Sequence, residues 1–143
     1  MAKAVRTEVY EVPINKFFQA IADFKSYPQF VDGVSAMDIL KEEGQHSKVK
    51  MSVNIIKSFS YVLNLKKIEP TEVSWTLDSG DLLKVNNGKW TLKDLGNNKT
   101  EVTYSLEIEV KGFLPGLGLI EKTLVNTNLP LTMKAFAKRA QSL

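Results

Sequence analysis

The chain has no cysteine and a single histidine, His46. The first absence removes disulfides and thiolate chemistry and gives no hint of an oxidising compartment. The two together leave no ligand set for zinc or iron. A Ser-His-Asp arrangement would need His46 as its base. That residue lies in Glu43-Gly44-Gln45-His46-Ser47, which reads as an exposed turn, so His46 is expected to be dispensable. No apolar run nears the ~18 residues that span a bilayer. Met1 to Arg6 carries no apolar signal-peptide core, so a cytoplasmic protein is the expectation. Basic clusters are also lacking: a net charge of +3 and a pI near 9.0 make no case for a specific nucleic-acid partner. Gly112, Gly116 and Gly118 match neither a P-loop nor a dinucleotide fingerprint. Glu107 and Glu109 read as solvated charges rather than a catalytic pair. No cofactor, metal or catalytic residue is expected.

What the chain does have is alternation. From Lys99 to Lys111, Val102, Tyr104, Leu106, Ile108 and Val110 point one way, while Thr103, Ser105, Glu107 and Glu109 point the other. Period two over such a length predicts a strand with one buried and one wet face. Weaker versions precede it. Val5 to Val12 reads as a first strand with Val5, Thr7 and Val9 on one face. Val34–Glu42, Lys48–Lys57, Phe59–Ile68 and a short strand through Val73, Trp75 and Leu77 follow. Leu83–Leu95 comes next, interrupted at Asn86-Asn87-Gly88, a hairpin-turn signal. Short connections make these strands an antiparallel meander. Between the first two strands, Pro13 opens a short helix with Ile14, Phe17, Phe18 and Ile21 at helical spacing. Asp23 resembles the cap of a second one.

After Gly112 the pattern turns helical, from about Leu117 to Gln141. Leu117, Ile120 and Leu124 form one stripe; Leu129, Met133, Phe136, Ala140 and Leu143 form another, out of phase with it. Pro130 lies between them and predicts a kink or a break, with a new start at Thr127 or Asn128. A length of 143 residues suits one domain, residues 1–143.

This order of elements resembles the helix-grip fold of the START-like (SRPBCC) superfamily. The stretch Asp23-Phe24-Lys25-Ser26-Tyr27-Pro28-Gln29-Phe30 is similar to a signature of its coenzyme-Q-binding and polyketide cyclase/dehydrase families, with Asp23, Tyr27, Pro28 and Phe30 matching. After Val31 the chain departs, with Asp32-Gly33-Val34 where members often carry a Pro-Trp-Cys-like run. The resemblance implies an α+β fold: a curved antiparallel sheet of about seven strands around a long kinked C-terminal helix, with two short helices after the first strand. It also implies a cavity between sheet and helix for a lipid, isoprenoid quinone or polyketide-like ligand.

The expected cavity wall is Met51, Val53, Tyr61, Leu63, Leu65, Trp75, Leu77, Trp90, Tyr104, Leu106, Ile108, Leu124 and Met133. Such residues serve equally as plain core. As a wall, Tyr and Trp add a polar handle to an apolar surface. The void should be at least about 300 Å³. The apolar, glycine-rich stretch 112–120 reads either as a core anchor or as a lid with Phe113, Leu114, Gly116 and Gly118, hinged at Pro130. Flanking Lys111 and Lys122 would suit a transient membrane-surface contact. The favoured function is a non-catalytic carrier of a hydrophobic small molecule. A polyketide cyclase/dehydrase-type enzyme and a ribosome-associated toxin-like interaction module are the rivals; oligomeric state is left open.

Overall fold

The computed structural model describes residues 2–55, 57–112 and 116–143, with the backbone alone at 55, 117, 120, 124, 127 and 128. Seven strands form one antiparallel sheet: β1 (Ala2–Tyr10), β2 (Val34–Glu43), β3 (His46–Ile55), β4 (Lys57–Ile68), β5 (Glu72–Gly80), β6 (Leu83–Gly96) and β7 (Lys99–Val110). Their order is β1-β7-β6-β5-β4-β3-β2. The six consecutive strands are a meander, as short turns dictate. Only β1 arrives from afar, closing on β7 at the opposite edge from β2. The buried Thr100 hydroxyl donates to the Val12 carbonyl at 2.7 Å and ties the end of β1 to the start of β7.

Alternation is cleanest in β7, where Thr100, Val102, Tyr104, Leu106, Ile108 and Val110 are all buried. Each such apolar side chain removed from water contributes roughly 1.5–3 kcal/mol. The first strand corrects the sequence reading: it starts at Ala2, and Val5 and Val9 are 71% and 53% exposed. Ala2, Ala4 and Tyr10 pack inward instead. Three β-branched residues on one face satisfy strand propensity as well outside as inside.

The Asn86-Asn87-Gly88 signal also fails as a turn. These residues run straight through β6, paired with Ile108, Glu107 and Leu106. Gly88 is there for closeness: a Cβ on it would lie 2.1 Å from Trp75 Cζ2, so the indole rests on bare backbone. A register shift between Leu83 and Val85 changes the phase of β6, so Leu83 and then Asn86, Trp90 and Leu92 are buried. His46 begins β3, pairs with Glu43 and is exposed; the turn is Gly44-Gln45 alone.

Between β1 and β2 lie α1 (Ile14–Ala22), a 3-10 turn (Phe24–Ser26) and α2 (Tyr27–Phe30). Phe17, Phe18 and Ile21 are buried, as their spacing requires. After β7 come α3 (Leu117–Lys122), a wide π turn (Thr123–Thr127) and α4 (Asn128–Gln141). The π turn resolves the phase fault. It inserts one extra residue per turn, which brings positions five apart onto one face. α4 continues from it at Asn128 without a gap, so the expected break is a π turn within one helix, and Pro130 lies just after that irregularity. Val125, Leu129, Met133, Phe136 and Ala140 form the buried stripe, and α4 packs against α1.

Candidate functional site

A cavity of about 120 Å³ lies between the sheet and α4. Met51, Val53, Tyr61, Leu63, Leu65, Trp75, Trp90, Tyr104, Leu106 and Ile108 line it from the sheet. They come from β3 to β7 because inward positions alternate along each strand. Leu77 does not line it: β5 pairs with β6 only from Glu72 to Trp75, and Leu77 lies beyond, half-buried at the core's edge. Met133 is fully buried in the core and does not line the cavity; from α4, Thr132 and Phe136, one turn apart, do. The side chain of Leu124 lies outside the described residues. Tyr27, Val31, Val34, Met37 and Asn86 also line the cavity. Asn86 could have been found by extending the phase of Trp90 and Leu92 back two steps. The α4 residues follow from the Met133–Phe136 stripe only once the helix is docked.

The void is smaller than the expected 300 Å³ because large rings occupy the space. Trp90 and Tyr104 stack at 4.2 Å between ring centroids, with planes 11° apart. Phe136 meets Trp90 edge-on at 5.1 Å and Tyr27 at 4.9 Å. Such pairs add about 0.5–1.5 kcal/mol each beyond burial.

The signature stretch supports this cluster. The Tyr27 hydroxyl donates to the Ile21 carbonyl, one of the last carbonyls of α1 and without a helical partner. Asp23 accepts from the Ser26 hydroxyl at 2.6 Å, and Pro28 occupies the first turn of α2. Phe30 packs edge-on against Phe136 at 5.0 Å under the Arg139 guanidinium. Only Tyr27 of the four reaches the cavity.

Asp32 lines one end of the cavity and is exposed, so the space reaches solvent beside Asp32 and Thr132. Gly116, Gly118 and Pro130 are not among its lining residues, and Phe113 and Leu114 lie outside the described residues. Gly116 has φ of +91°, a conformation that favours glycine.

The polar groups inside form a chain. Trp75 Nε1 donates to Asn86 Oδ1 at 3.1 Å, and the Tyr61 hydroxyl donates to Met51 Sδ at 3.0 Å. Burial pushes the Tyr61 phenol well above its ordinary pKa, and a hydrogen bond from the Asn86 side chain acts the other way. Burial, reinforced by Tyr61, does the same to Tyr104. Tyr27 is raised by burial, then by Tyr104 and Asp23. Phenols so held are hydrogen-bond donors, not bases or nucleophiles. Among the described residues no lining residue is Lys, Arg or His. No cluster of metal-ligating residues occurs among the described residues.

Residues 10–136 match the family described as "Polyketide cyclase / dehydrase and lipid transport", and the chain belongs to it. Its seven-stranded α+β architecture is the START-like helix-grip fold. A START superfamily protein from Mycobacterium smegmatis superposes with a TM-score of 0.85 at 22% identity, over 98% of this chain and 97% of that one. The Zhui aromatase/cyclase from Streptomyces sp. R1128 superposes with a TM-score of 0.79 at 11% identity, over 99% and 92%. Among curated proteins, the ribosome association toxin RatA of Pseudomonas aeruginosa is 24% identical, over 96% of this chain and 94% of its own length.

Proposed function

We propose that the chain binds and carries a hydrophobic small molecule, of lipid, isoprenoid quinone or polyketide-like character, in the cavity between the sheet and α4. One observation carries this reading: the space under α4 is walled by aliphatic and aromatic side chains and opens to solvent beside Asp32. A ligand larger than the present void enters by displacing rings, with Phe136 on α4 the movable wall. Catalysis is disfavoured because the inner polar groups are tyrosines held neutral, an amide and an indole. Native mass spectrometry of protein purified from cells tests the proposal: a co-purified apolar molecule is expected. Failure to retain any such molecule, with no binding of apolar probes added afterwards, sinks it.

The lid at Phe113, Leu114, Gly116 and Gly118, with its hinge at Pro130, belongs to the same proposal. The backbone of Gly116 would strain under alanine, whereas a Cβ on Gly118 meets open space. Gly118→Ala is therefore the usable variant, and it should slow probe uptake and release more than it changes affinity. Unchanged rates would remove the lid.

A second reading has one observation in its favour, the likeness to the ribosome association toxin. It makes the chain a protein-interaction module on the ribosome. Co-sedimentation with ribosomes supports that reading; its absence at low salt, alongside a bound apolar ligand, leaves the carrier.

A further inference from the structure

Two hydroxyls in the cavity have an O–H donor that is unused or weakly used. Tyr104 is 8% exposed, lines the cavity, and its hydroxyl has no hydrogen-bond partner among the described residues. It is not sealed in the core either: no side-chain polar atom among the described residues is both fully buried and unpaired, so this hydroxyl opens on the cavity. Tyr61 is 9% exposed; its oxygen takes a hydrogen bond from the Asn86 side chain, and its own O–H goes to Met51 Sδ, a thioether and a weak acceptor. Their neighbours are satisfied: Tyr27 on the Ile21 carbonyl, Trp75 on Asn86. Tyr61 and Tyr104 lie close enough to feel each other electrostatically. An unpaired donor in an apolar pocket is costly to maintain, and an oxygen acceptor on a ligand relieves it.

The sign of that acceptor follows from what surrounds it. Among the described residues no cation lines the cavity, and the one charged lining residue is Asp32. A carboxylate or phosphate drawn inside would lose its water with no counter-charge, and two neutral donors do not offset that loss. Asp32 at the opening repels anions further.

We infer, building on the carrier reading above, that Tyr61 and Tyr104 are the specificity-determining residues. They select a neutral ligand bearing a carbonyl or similar uncharged oxygen, and anionic amphiphiles are excluded. On binding, the Tyr61 hydroxyl turns from Met51 to the ligand oxygen, which accepts from Tyr104 as well. Both phenols keep their protons at neutral pH, so both donate.

Three probes on one two-ring frame test this: 2-acetylnaphthalene, 2-ethylnaphthalene and 2-naphthoate, titrated at pH 7 and followed by heteronuclear NMR. The readout is the ratio of ketone to hydrocarbon affinity in the native chain and in Tyr61→Phe/Tyr104→Phe. Loss of two neutral hydrogen bonds should lower that ratio about tenfold, with hydrocarbon affinity unchanged. Retained hydrocarbon binding also shows that the variant is folded. Naphthoate should bind more weakly than either neutral probe to the native chain. An unchanged ratio, or naphthoate binding as tightly as the ketone, overturns the inference and leaves the carrier reading standing. Binding of none of the three to the native chain overturns both.

Discussion

Two walls of one cavity solve different problems. The wall around Trp90, Tyr104 and Phe136 is ring against ring, with stacking at 4.2 Å and an edge contact at 5.1 Å. The wall around Trp75, Asn86, Tyr61 and Met51 is a run of hydrogen bonds, from an indole N–H onto an amide and from a phenol onto a sulfur. The first excludes water and holds α4 to the sheet. The second keeps polar groups inside an apolar space, where their hydrogen bonds to one another offset the cost of burying them. The difference separates ring packing from hydrogen bonding, and Tyr104, stacked on Trp90 and close to Tyr61, stands where the two walls meet.

The comparison breaks most visibly at Phe136. Replacing it with alanine removes the ring that Tyr27, Phe30 and Trp90 all meet. The expected loss is about 3–5 kcal/mol in urea unfolding. A loss under about 1 kcal/mol would mean that α4 is held elsewhere.

Alkaline pH tests the buried phenols of both walls. In the folded chain Tyr27, Tyr61 and Tyr104 have raised pKa values, burial being the first cause of each. Above about pH 10 the unfolded chain releases protons that the folded chain retains, so unfolding is favoured as pH rises. Stability is therefore complete below about pH 10. It then falls by up to about 1.4 kcal/mol per pH unit for each retained proton. Absorbance at 295 nm should show these tyrosines ionising only with unfolding. Early, reversible ionisation without unfolding would place them in solvent.

Gly88→Ala sharpens the comparison at a single contact. The new methyl group collides with the Trp75 indole, which must shift and loosen its bond to Asn86. Overpacking of this kind costs about 1–3 kcal/mol. A red shift in tryptophan emission should accompany it, and an unshifted spectrum would show that the indole has room. Smallest of all is His46→Ala. An exposed residue at the start of β3, away from both walls, should change stability by less than about 0.5 kcal/mol. A larger change would give the turn at Gly44-Gln45 a role that its exposure does not suggest.

The strand β7, the helix α1, an irregularity before α4 and the motif from Asp23 to Phe30 were legible in the sequence, because each is written in spacing within a dozen residues; that the irregularity is a π turn in an unbroken helix was not. Alternation names the faces of β7 without reference to any partner, and Pro130 marks a fault wherever its helix lies. The order of elements was enough to indicate the fold. Other features depend on pairs of residues far apart in the chain, and periodicity carries no record of those. Val5 and Val9 look as inward as any core pair until β1 meets β7. Asn86-Asn87-Gly88 has the chemistry of a turn; only Trp75 lying against Gly88 makes it a close approach inside a strand. The size of the cavity was decided by how Trp90, Tyr104 and Phe136 fill it, and the openness of the Tyr104 hydroxyl by its forming no hydrogen bond with the described residues. Local pattern sets which way a side chain points; which group it meets there is a property of the packed chain.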